Sequence, residues 1–305
     1  MKASILVGDA RSLLAELADG SVQTCITSPP YFGLRDYGHD GQMGLEATPD
    51  EYVKEMMALF REVWRVLADD GTLWLSLGDS YRSKQLLGIP WKVALALKAD
   101  GWYLRSDIIW AKPNPMPESV ADRPTKSHEH LFLFSKDSEY YYDAMAIAED
   151  SVGWNGSRFD TGKTAEHQGQ RMQRRNIVGN MSERGVTHTT EGLNLKTNEE
   201  KTGPTKNKRD VWTISTGSFP GAHFAVMPTE LVKPCVLAGS EEGDWILDPF
   251  AGSGTVGVVS LRHQRNFTGI ELNPVYAEMA RNRMLDDGPM LNYVGDVCAD
   301  KRALP

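Results

Sequence analysis

The sequence predicts an α/β fold, in which a mostly parallel sheet carries helices on both faces. In residues 1–148, short apolar runs alternate with segments whose apolar residues recur at helical spacing. The same alternation returns in residues 216–305, and a polar stretch over residues 149–215 separates the two blocks. Because this alternation is typical of parallel sheets, we expect both blocks to share one sheet, with the polar stretch as an inserted domain.

The N-terminal block alternates strands and helices. Strands are predicted over 4–7, 22–27, 72–77, 104–110 and 131–135, and helices over 11–17, 49–67 and 90–98. The helix over 49–67 has the clearest start, because Thr48 can cap it and Pro49 suits its first turn. Asp70-Gly71 predicts a turn between this helix and the next strand.

The C-terminal block contains a glycine-rich loop between a strand and a helix. Strands are predicted over 245–248 and 267–272, and helices over 255–261 and 274–284. The loop, Asp248–Thr255, reads Asp-Pro-Phe-Ala-Gly-Ser-Gly-Thr, and its glycines let the backbone approach a ligand closely. Glu271 ends the next strand, where a carboxylate can accept both hydroxyls of a ribose. The pattern predicts a nucleoside cofactor, and Gly257 keeps a nicotinamide cofactor open because it completes a G-x-G-x-x-G spacing.

A stiff segment rich in hydrogen-bond acceptors follows the strand predicted over residues 22–27. It reads Thr27-Ser28-Pro29-Pro30-Tyr31. The two prolines have a fixed φ and no N–H, so the segment presents the Ser28 hydroxyl and main-chain carbonyls. Such a surface suits an amino group that is held by its hydrogens, and the Tyr31 ring can stack on a planar ring. Taken alone, the segment is equally consistent with an ordinary Pro-Pro turn.

Composition narrows the class of protein. The apolar runs are too short to span a membrane, and Asp9 interrupts the first run too early for a signal peptide. The three cysteines are too few and scattered for a disulfide framework or a zinc site. We therefore expect a cytoplasmic protein that contacts no membrane and holds no metal.

Charge is distributed unevenly along the chain. The net charge of −8 argues against a general polyanion binder, but residues 151–210 carry 11 Lys/Arg against 7 Asp/Glu. That window has a net charge of +4, so the rest of the chain has −12. The polar stretch is able to meet phosphates locally, although such a charge run is also typical of a solvated loop region.

Together, the Ser-Pro-Pro-Tyr segment and the Asp-Pro-Phe-x-Gly-x-Gly segment resemble the sequence boxes of DNA amino-methyltransferases. The catalytic box comes first and the cofactor box last, with a polar segment between them, which resembles the circularly permuted β group of that family. The resemblance covers nearly the whole chain and extends to Gly8-Asp9, Trp110–Asn114, Ser127–Glu129 and Phe224–Pro228.

The resemblance implies a circularly permuted, Rossmann-like methyltransferase sheet. Residues 1–148 would then form its catalytic half, residues 149–215 a target-recognition insert, and residues 216–305 the half that binds S-adenosylmethionine. The partner it implies is double-stranded DNA. A cognate restriction endonuclease is a further possible partner, and the protein is expected to be a monomer or a homodimer.

The family resemblance also implies a mechanism for the catalytic box. The exocyclic amino nitrogen of a base is a poor nucleophile, because it shares its lone pair with the ring. If acceptors hold its two hydrogens, the nitrogen turns pyramidal and aims its lone pair at the methyl carbon. We assign these acceptors to the Ser28 hydroxyl and the Pro29 carbonyl, within the stiff Pro29-Pro30 segment. Tyr31 would stack on the base after it is flipped out of the duplex.

On the cofactor side, the resemblance carries over six residues of the C-terminal block and one near the N-terminus. The loop residues expected to bind S-adenosylmethionine are Asp248, Phe250, Gly252, Ser253 and Gly254. Phe250, Gly252 and Gly254 would line its methionine and sulfonium end, and Glu271 would hold the ribose hydroxyls. Asp9 is assigned to the adenine amino group, because its strand is expected to neighbour that of Glu271. A second Gly-Asp pair, at residues 295–296, leaves this last assignment open.

The residue before Pro-Pro-Tyr bears on the target base. Family members with Ser there mostly methylate N4 of cytosine, and those with Asp or Asn mostly methylate N6 of adenine. Ser28 therefore favours cytosine N4, with adenine N6 as the alternative. RNA or a protein glutamine is a less favoured substrate, because related folds use Asn-Pro-Pro-Tyr for these.

Three other functions are weighed against the sequence. A nicotinamide oxidoreductase would leave the segment from Ser28 to Tyr31 unexplained, and a catalytically silent DNA-binding module would bind no cofactor. Methylation at C5 of cytosine needs a Pro-Cys nucleophile after the cofactor loop. Pro234-Cys235 precedes that loop and lies in an apolar stretch, so we predict that Cys235 is a buried small hydrophobe.

The polar stretch is the predicted target-recognition region. Reading DNA requires base-edge contacts and cationic contacts to phosphates, and residues 149–215 supply Arg174 and Arg175 together with several Asn and Gln. Lys112 and Asn114 are carried over from the family as DNA contacts near the flipped base.

Overall fold

A nine-stranded sheet runs through the part of the chain that the computed structural model describes, which is residues 1–39, 41–150, 205–216, 227–287 and 297–298. Its strands are β1 (Ala3–Val7), β2 (Val22–Thr27), β3 (Leu67–Leu77), β6 (Tyr103–Ala111), β7 (His128–Ser135), β10 (Val211–Thr213), β11 (Trp245–Asp248), β12 (Asn266–Glu271) and β13 (Val297–Cys298). Two short pairs stand apart from it, β4 (Tyr81–Arg82) with β5 (Gln85–Leu86) and β8 (Glu149–Asp150) with β9 (Thr205–Lys206). The helices are α1 (Ala10–Leu13), α2 (Pro49–Val66), α3 (Ile89–Ala99), α4 (Thr229–Gly239), α5 (Thr255–Arg262) and α6 (Pro274–Asp287).

The order of the strands confirms that the two blocks share one sheet. It runs β10-β6-β7-β3-β2-β11-β12-β1-β13, so β11 and β12 of the C-terminal block lie between β2 and β1 of the N-terminal block. Within this sheet, strand β7 is antiparallel to both of its neighbours, and the other described strand pairs are parallel. The carboxyl ends of β1, β2, β11 and β12 therefore meet at one edge, and β7 begins at that edge.

Helices cover both faces of the sheet, as predicted. Helices α1, α2 and α3 bury one set of apolar side chains, and α4, α5 and α6 bury another on the opposite face. The alternation along β3 shows how one strand serves both layers, since Leu73 and Leu75 belong to the first layer and Trp74 to the second. The burial of both layers fixes the register of the strands and so fixes where their polar ends lie.

Helix α2 begins where the sequence predicts. Thr48 accepts a hydrogen bond from the Glu51 N–H, and the Glu51 carboxylate accepts one from the Thr48 N–H, which makes a capping box. The strand after it begins earlier than predicted, because Leu67 turns directly from the helix into an extended conformation. The turn predicted at Asp70-Gly71 lies inside β3, next to an irregularity in the pairing of β2 with β3.

The predicted helix over residues 11–17 spans residues 10–16 in the structure and is divided into two parts. It consists of α1 and a turn of 3-10 helix, Leu14–Glu16. The main sheet also takes up part of the polar stretch, because β10 pairs with β6 in parallel. The insert boundary at residue 215 stays a prediction, and residues 151–204 lie outside the described part.

Some of the positive charge of the polar stretch is neutralised within the protein. Lys206, Lys208 and Arg209 each form an ion pair with Glu149, at 4.0, 3.8 and 2.9 Å. These pairs hold β9 and the following loop against the end of the N-terminal block. The described part of the chain contains no helix long and apolar enough to cross a membrane.

Candidate active site

A cavity of about 560 Å³ opens where the carboxyl ends of the central strands meet. It brings together residues of both sequence boxes. The predicted site residues on its wall are Asp9, Ser28, Pro29, Pro30, Tyr31, Lys112, Asp248, Phe250, Gly252, Ser253 and Glu271. One compartment is therefore lined by the segment predicted to hold an amino group and by the loop predicted to hold a nucleoside cofactor.

The Ser-Pro-Pro-Tyr segment follows β2 directly and is held from below. The Tyr52 hydroxyl, on α2, donates a hydrogen bond of 2.9 Å to the Pro30 carbonyl. Burial raises the pKa of Tyr52 well above its ordinary value, so Tyr52 remains a donor. Pro29 is buried and Ser28 is partly exposed on the cavity wall. Helix α2 thus fixes the rear of the segment and leaves Ser28 facing the cavity.

The hydroxyl of Tyr31 lies at the centre of a polar network. It receives a hydrogen bond of 3.2 Å from Ser28 Oγ and donates one of 2.8 Å to Glu129 Oε2. Burial and the nearby Glu129 carboxylate raise the pKa of Tyr31 well above its ordinary value. The Tyr31 ring lies against Gly78, where a Cβ would come within 2.6 Å of Tyr31 Cε2. Both the plane and the hydroxyl of Tyr31 are therefore fixed.

Glu129 and Lys112 complete this network. The Lys112 ammonium forms an ion pair with Glu129 Oε1 and lies over the Trp110 ring at 4.3 Å. The side chains of Lys112 and Glu129 are only 17% and 16% exposed. Lys112 thus lines the cavity beside the Ser-Pro-Pro-Tyr segment, where its charge is matched by the Glu129 carboxylate.

The glycine-rich loop is anchored by the first residue of its motif. Asp248 Oδ1 accepts hydrogen bonds from Thr27 Oγ1 at 2.7 Å and from the Phe250 N–H at 3.0 Å. Asp248 is buried, and this burial raises its pKa to about 7. Ser253, also buried, accepts a hydrogen bond of 3.0 Å from Arg283 on α6. Asp248 and Ser253 hold the loop in place as well as lining the cavity.

The glycines of the loop have different surroundings. Gly252 lines the cavity and has φ of +52°, a left-handed conformation that favours glycine. The α-carbon of Gly254 packs against α6, where an added Cβ would lie 2.8 Å from Ala280 Cβ. The assignment of Gly254 to the cofactor stays a prediction. A Cβ at Gly257 would lie 2.5 Å from Met284 Sδ. The second and third glycines of the spacing therefore serve helix packing.

Glu271 is positioned by the two loops that flank it. Its Oε2 accepts a hydrogen bond of 2.8 Å from the Gly252 N–H, and its Oε1 accepts one of 2.8 Å from the Asn273 N–H. Burial raises the pKa of Glu271 above its ordinary value. Each oxygen retains acceptor capacity beyond these bonds, and the side chain faces the cavity.

Asp9 lies next to Glu271, as predicted, because β1 pairs with β12 and the Gly8 N–H donates to the Glu271 carbonyl. Its carboxylate has an additional partner that the sequence did not indicate. Arg11 donates to it from its main-chain N–H, at 2.8 Å, and from its guanidinium, at 2.5 to 3.1 Å. These bonds lower the pKa of Asp9. The assignment of Asp9 to an adenine amino group stays a prediction.

The remaining predicted DNA contacts lie in different places. Asn114 is exposed outside the cavity, where its side chain accepts a hydrogen bond of 3.0 Å from the Thr216 N–H. Arg174 and Arg175 lie outside the described residues. Cys235 is buried in α4, and burial raises the pKa of its thiol well above the ordinary value, as expected of a small hydrophobe. Within the described ranges, no cluster of His, Cys, Asp or Glu side chains is arranged to hold a metal.

Glu129 is the main site residue that the sequence reasoning missed. It belongs to the family resemblance, but the sequence assigns it no role. A polar residue at the start of the apolar strand over residues 131–135 was the available signal. If the strand were parallel, as most strands were expected to be, it would start at the edge of the sheet opposite the cavity. Because β7 is antiparallel, it starts at the cavity edge and brings Glu129 there.

Comparison with known families identifies the chain. A family model described as DNA methylase, for N6 and N4 methyltransferases, matches residues 22–282. This range covers most of the 305 residues, and the chain belongs to this DNA methylase family.

Named relatives agree with this assignment over nearly their whole length. Type II methyltransferase M.Cfr9I from Citrobacter freundii is 42% identical over 311 residues, which are 92% of this chain and 87% of the relative. Type II methyltransferase M.SmaI from Serratia marcescens is 41% identical over 310 residues, which are 92% of this chain and 90% of the relative.

Solved structures confirm the Rossmann-like methyltransferase fold. PvuII DNA methyltransferase, described as cytosine-N4-specific, has a TM-score of 0.65 at 18% identity, over 94% of this chain and 91% of that one. A putative DNA modification methylase from Thermus thermophilus, solved in complex with S-adenosyl-L-methionine, has a TM-score of 0.61 at 23% identity. That match covers 98% of this chain and 100% of the other.

Proposed function

We propose that this DNA methyltransferase transfers a methyl group from S-adenosylmethionine to the N4 amino group of a cytosine flipped out of duplex DNA. The observation that carries the proposal is the shared cavity, in which the Ser28 segment and the Gly252 loop face the same space. A methyl donor and an amino acceptor must meet within bonding distance, and two boxes on one cavity wall allow this meeting.

The residues of the C-terminal half fit S-adenosylmethionine. Gly252 brings bare backbone to the cavity, and Glu271 beside it presents carboxylate oxygens of the kind that accept ribose hydroxyls. We assign the methionine end to the loop around Phe250 and Gly252, and the ribose to Glu271. When bound, the cofactor supplies a methyl group that is already activated by its sulfonium.

The residues of the catalytic segment fit an amino acceptor. The hydroxyl hydrogen of Ser28 is used toward Tyr31, so the lone pairs of Ser28 Oγ remain to accept a hydrogen from the base. Because Tyr52 occupies the Pro30 carbonyl, we assign the second amino hydrogen to the carbonyl of Pro29. Acceptors that are held in place before the reaction lower its activation free energy by several kcal/mol.

Tyr31 is suited to stacking, because its ring cannot turn. Gly78 supports the ring, and the hydrogen bond to Glu129 fixes its hydroxyl. Extruding a base from the duplex costs a few kcal/mol, and stacking on an aromatic side chain recovers about 1–3 kcal/mol per base. A fixed ring recovers this energy without first losing rotational freedom.

Cytosine is favoured over adenine by Ser28 alone, through the family resemblance. Adenine N6 is the alternative, since both amino groups present two hydrogens to the same acceptors. The Type II methyltransferases among the relatives support a role as the modification enzyme that protects DNA from a cognate restriction endonuclease.

Nucleoside mass spectrometry on DNA from cells with and without this protein tests the proposal. N4-methylcytosine that appears only with the protein is the expected result. N6-methyladenine instead would overturn the assignment of the base and keep the chemistry of the amino group. Neither product, from cells in which the protein is folded, would overturn DNA as the substrate, and the same digest of cellular RNA would then be examined.

A further inference from the structure

A continuous chain of hydrogen bonds leads from the proposed amino-binding position to a buried carboxylate. Ser28 Oγ donates to Tyr31 Oη at 3.2 Å, and Tyr31 Oη donates to Glu129 Oε2 at 2.8 Å. Lys112 forms an ion pair with the other carboxylate oxygen. All four residues line the cavity, and both hydroxyl hydrogen bonds of the chain are donated in the direction of Glu129.

We propose that Glu129 receives, through Tyr31 and Ser28, the proton that the base must lose after methyl transfer. The inference rests on the proposed function, because it requires an amino group at Ser28. It also gives a role to the ion pair between Lys112 and Glu129. The two acceptors on Ser28 and Pro29 do not require this pair.

The step balances in atoms and charge. The amino nitrogen gives its lone pair to the new N–C bond, and the electron pair of the broken C–S bond stays on sulfur. The nitrogen, now positively charged, releases one proton to Ser28 Oγ, while the Ser28 hydrogen moves to Tyr31 Oη and the Tyr31 hydrogen moves to Glu129 Oε2. The products are a neutral methylated base, neutral Ser28 and Tyr31, and a protonated Glu129 carboxyl.

Tyr31 suits the middle of the relay. Burial raises its pKa, so the hydroxyl keeps a hydrogen and passes a proton only as it receives another. The charged and titratable groups around Glu129 are Lys112 directly after β6, His128 at the start of β7, Lys126 before it and Tyr31 in the catalytic segment. Burial lowers the pKa values of Lys126 and His128. Lys112 makes the contact that neutralises Glu129 before the reaction.

The relay ends at a side chain that has little exposure to solvent. Since the Glu129 side chain is only 16% exposed, bulk water has little access to the nitrogen by this route. A fixed internal acceptor therefore gives the proton a defined exit while the base occupies the cavity.

The experiment measures single-turnover methyl transfer to unmethylated bacteriophage DNA at one fixed pH, for the wild type, Glu129→Gln and Glu129→Asp. Glutamine can accept the hydrogen bond from Tyr31 but is not a base. We expect Glu129→Gln to lower the rate by about 10²-fold, as for loss of a general base. Aspartate, which is a base on a shorter side chain, should restore part of the rate.

A double-mutant cycle tests whether the residues act as one unit. Tyr31→Phe interrupts the relay, so adding Glu129→Gln to Tyr31→Phe should cost little more than Tyr31→Phe alone. Affinity for S-adenosylmethionine, measured by calorimetry, establishes that each variant is folded.

Several outcomes would overturn the relay. An unchanged rate in Glu129→Gln would do so while leaving the proposed function intact, as would losses that simply add. If Glu129→Gln does not bind the cofactor, Tyr31→Phe decides, and a wild-type rate in Tyr31→Phe overturns the relay. No methyl transfer by the wild type, to DNA of diverse sequence, would overturn the proposed function and the relay together.

Discussion

Thr27 Oγ1 donates a buried hydrogen bond of 2.7 Å to Asp248 Oδ1, across 221 positions of the sequence. It joins the last residue of β2 to the last residue of β11. The same Asp248 oxygen also accepts from the Phe250 N–H. A single carboxylate oxygen therefore links the Ser-Pro-Pro-Tyr segment to the glycine-rich loop.

Asp248→Asn should weaken the pH dependence of stability, because it keeps an acceptor oxygen and removes a buried charge. The carboxyl has a pKa of about 7 when folded and about 4 when unfolded. Its contribution to stability is therefore fully present below about pH 4 and is lost as pH rises through 7. The loss is on the order of 4 kcal/mol by pH 8. Urea unfolding at several pH values between 5 and 8 measures it.

Asp69→Asn is the matched control for Asp248→Asn, since Asp69 is fully exposed. It should leave the pH dependence of the free energy of unfolding close to that of the wild type. Parallel wild-type and Asp248→Asn curves would show that Asp248 keeps its charge when buried, contrary to the expectation.

Gly78→Ala should slow methyl transfer without weakening cofactor binding. The new Cβ would lie 2.6 Å from Tyr31 Cε2 and 2.9 Å from Tyr31 Cδ2, so the ring must move and the bond to Glu129 must lengthen. A displacement on the order of 1 Å at a positioned group costs about 10²-fold in rate. Single-turnover methyl transfer measures the loss, and calorimetry measures the affinity for S-adenosylmethionine.

The cofactor affinity is the internal control for Gly78→Ala, because Gly78 lies on the amino-binding side of the cavity. A normal rate in this variant would mean that Tyr31 does not need its observed position. Equal losses of rate and of cofactor affinity would point to a general distortion of the sheet edge.

Glu271→Gln should weaken the binding of S-adenosylmethionine by at least about 10-fold. Both Glu271 oxygens accept main-chain hydrogen bonds, from Gly252 and Asn273. The amide group of glutamine must turn an N–H₂ toward one of these donors, which leaves a buried N–H unsatisfied at a cost of about 1–3 kcal/mol. Calorimetric titration of the cofactor measures the effect.

Glu278→Gln provides the matched control for Glu271→Gln. Glu278 lies on α6 with its side chain 63% exposed, and its substitution removes the same charge outside the cavity. The assignment of Glu271 fails if both variants bind the cofactor as tightly as the wild type.

Much of the fold could be predicted, because its signals are local. The capping box at Thr48 and the apolar spacing along α2 lie within one segment, so the sequence indicates them directly. The two blocks were also predicted to share one sheet, and the order of the strands confirms this.

What the sequence could not predict depends on contacts between distant segments. The direction of β7 decides whether Glu129 reaches the cavity, and strand direction follows from packing and connection rather than from composition. Glu129 accepts a hydrogen bond from Tyr31, which lies 98 positions away, and Ala280 packs against Gly254. Both partners were visible as residues, but no spacing rule connects them to the motif.

Arg174→Ala combined with Arg175→Ala should weaken DNA binding and leave the affinity for S-adenosylmethionine unchanged. If both arginines contact phosphates, the slope of log K against log salt should fall by about 2 in magnitude. Fluorescence anisotropy with labelled duplex DNA at several salt concentrations measures this slope.

Lys54→Ala combined with Arg61→Ala is the matched control, because it removes two exposed charges from α2. If the arginine variant binds DNA as tightly as the wild type, Arg174 and Arg175 do not belong to the target-recognition region. If both double variants weaken DNA binding equally, the effect comes from net charge alone.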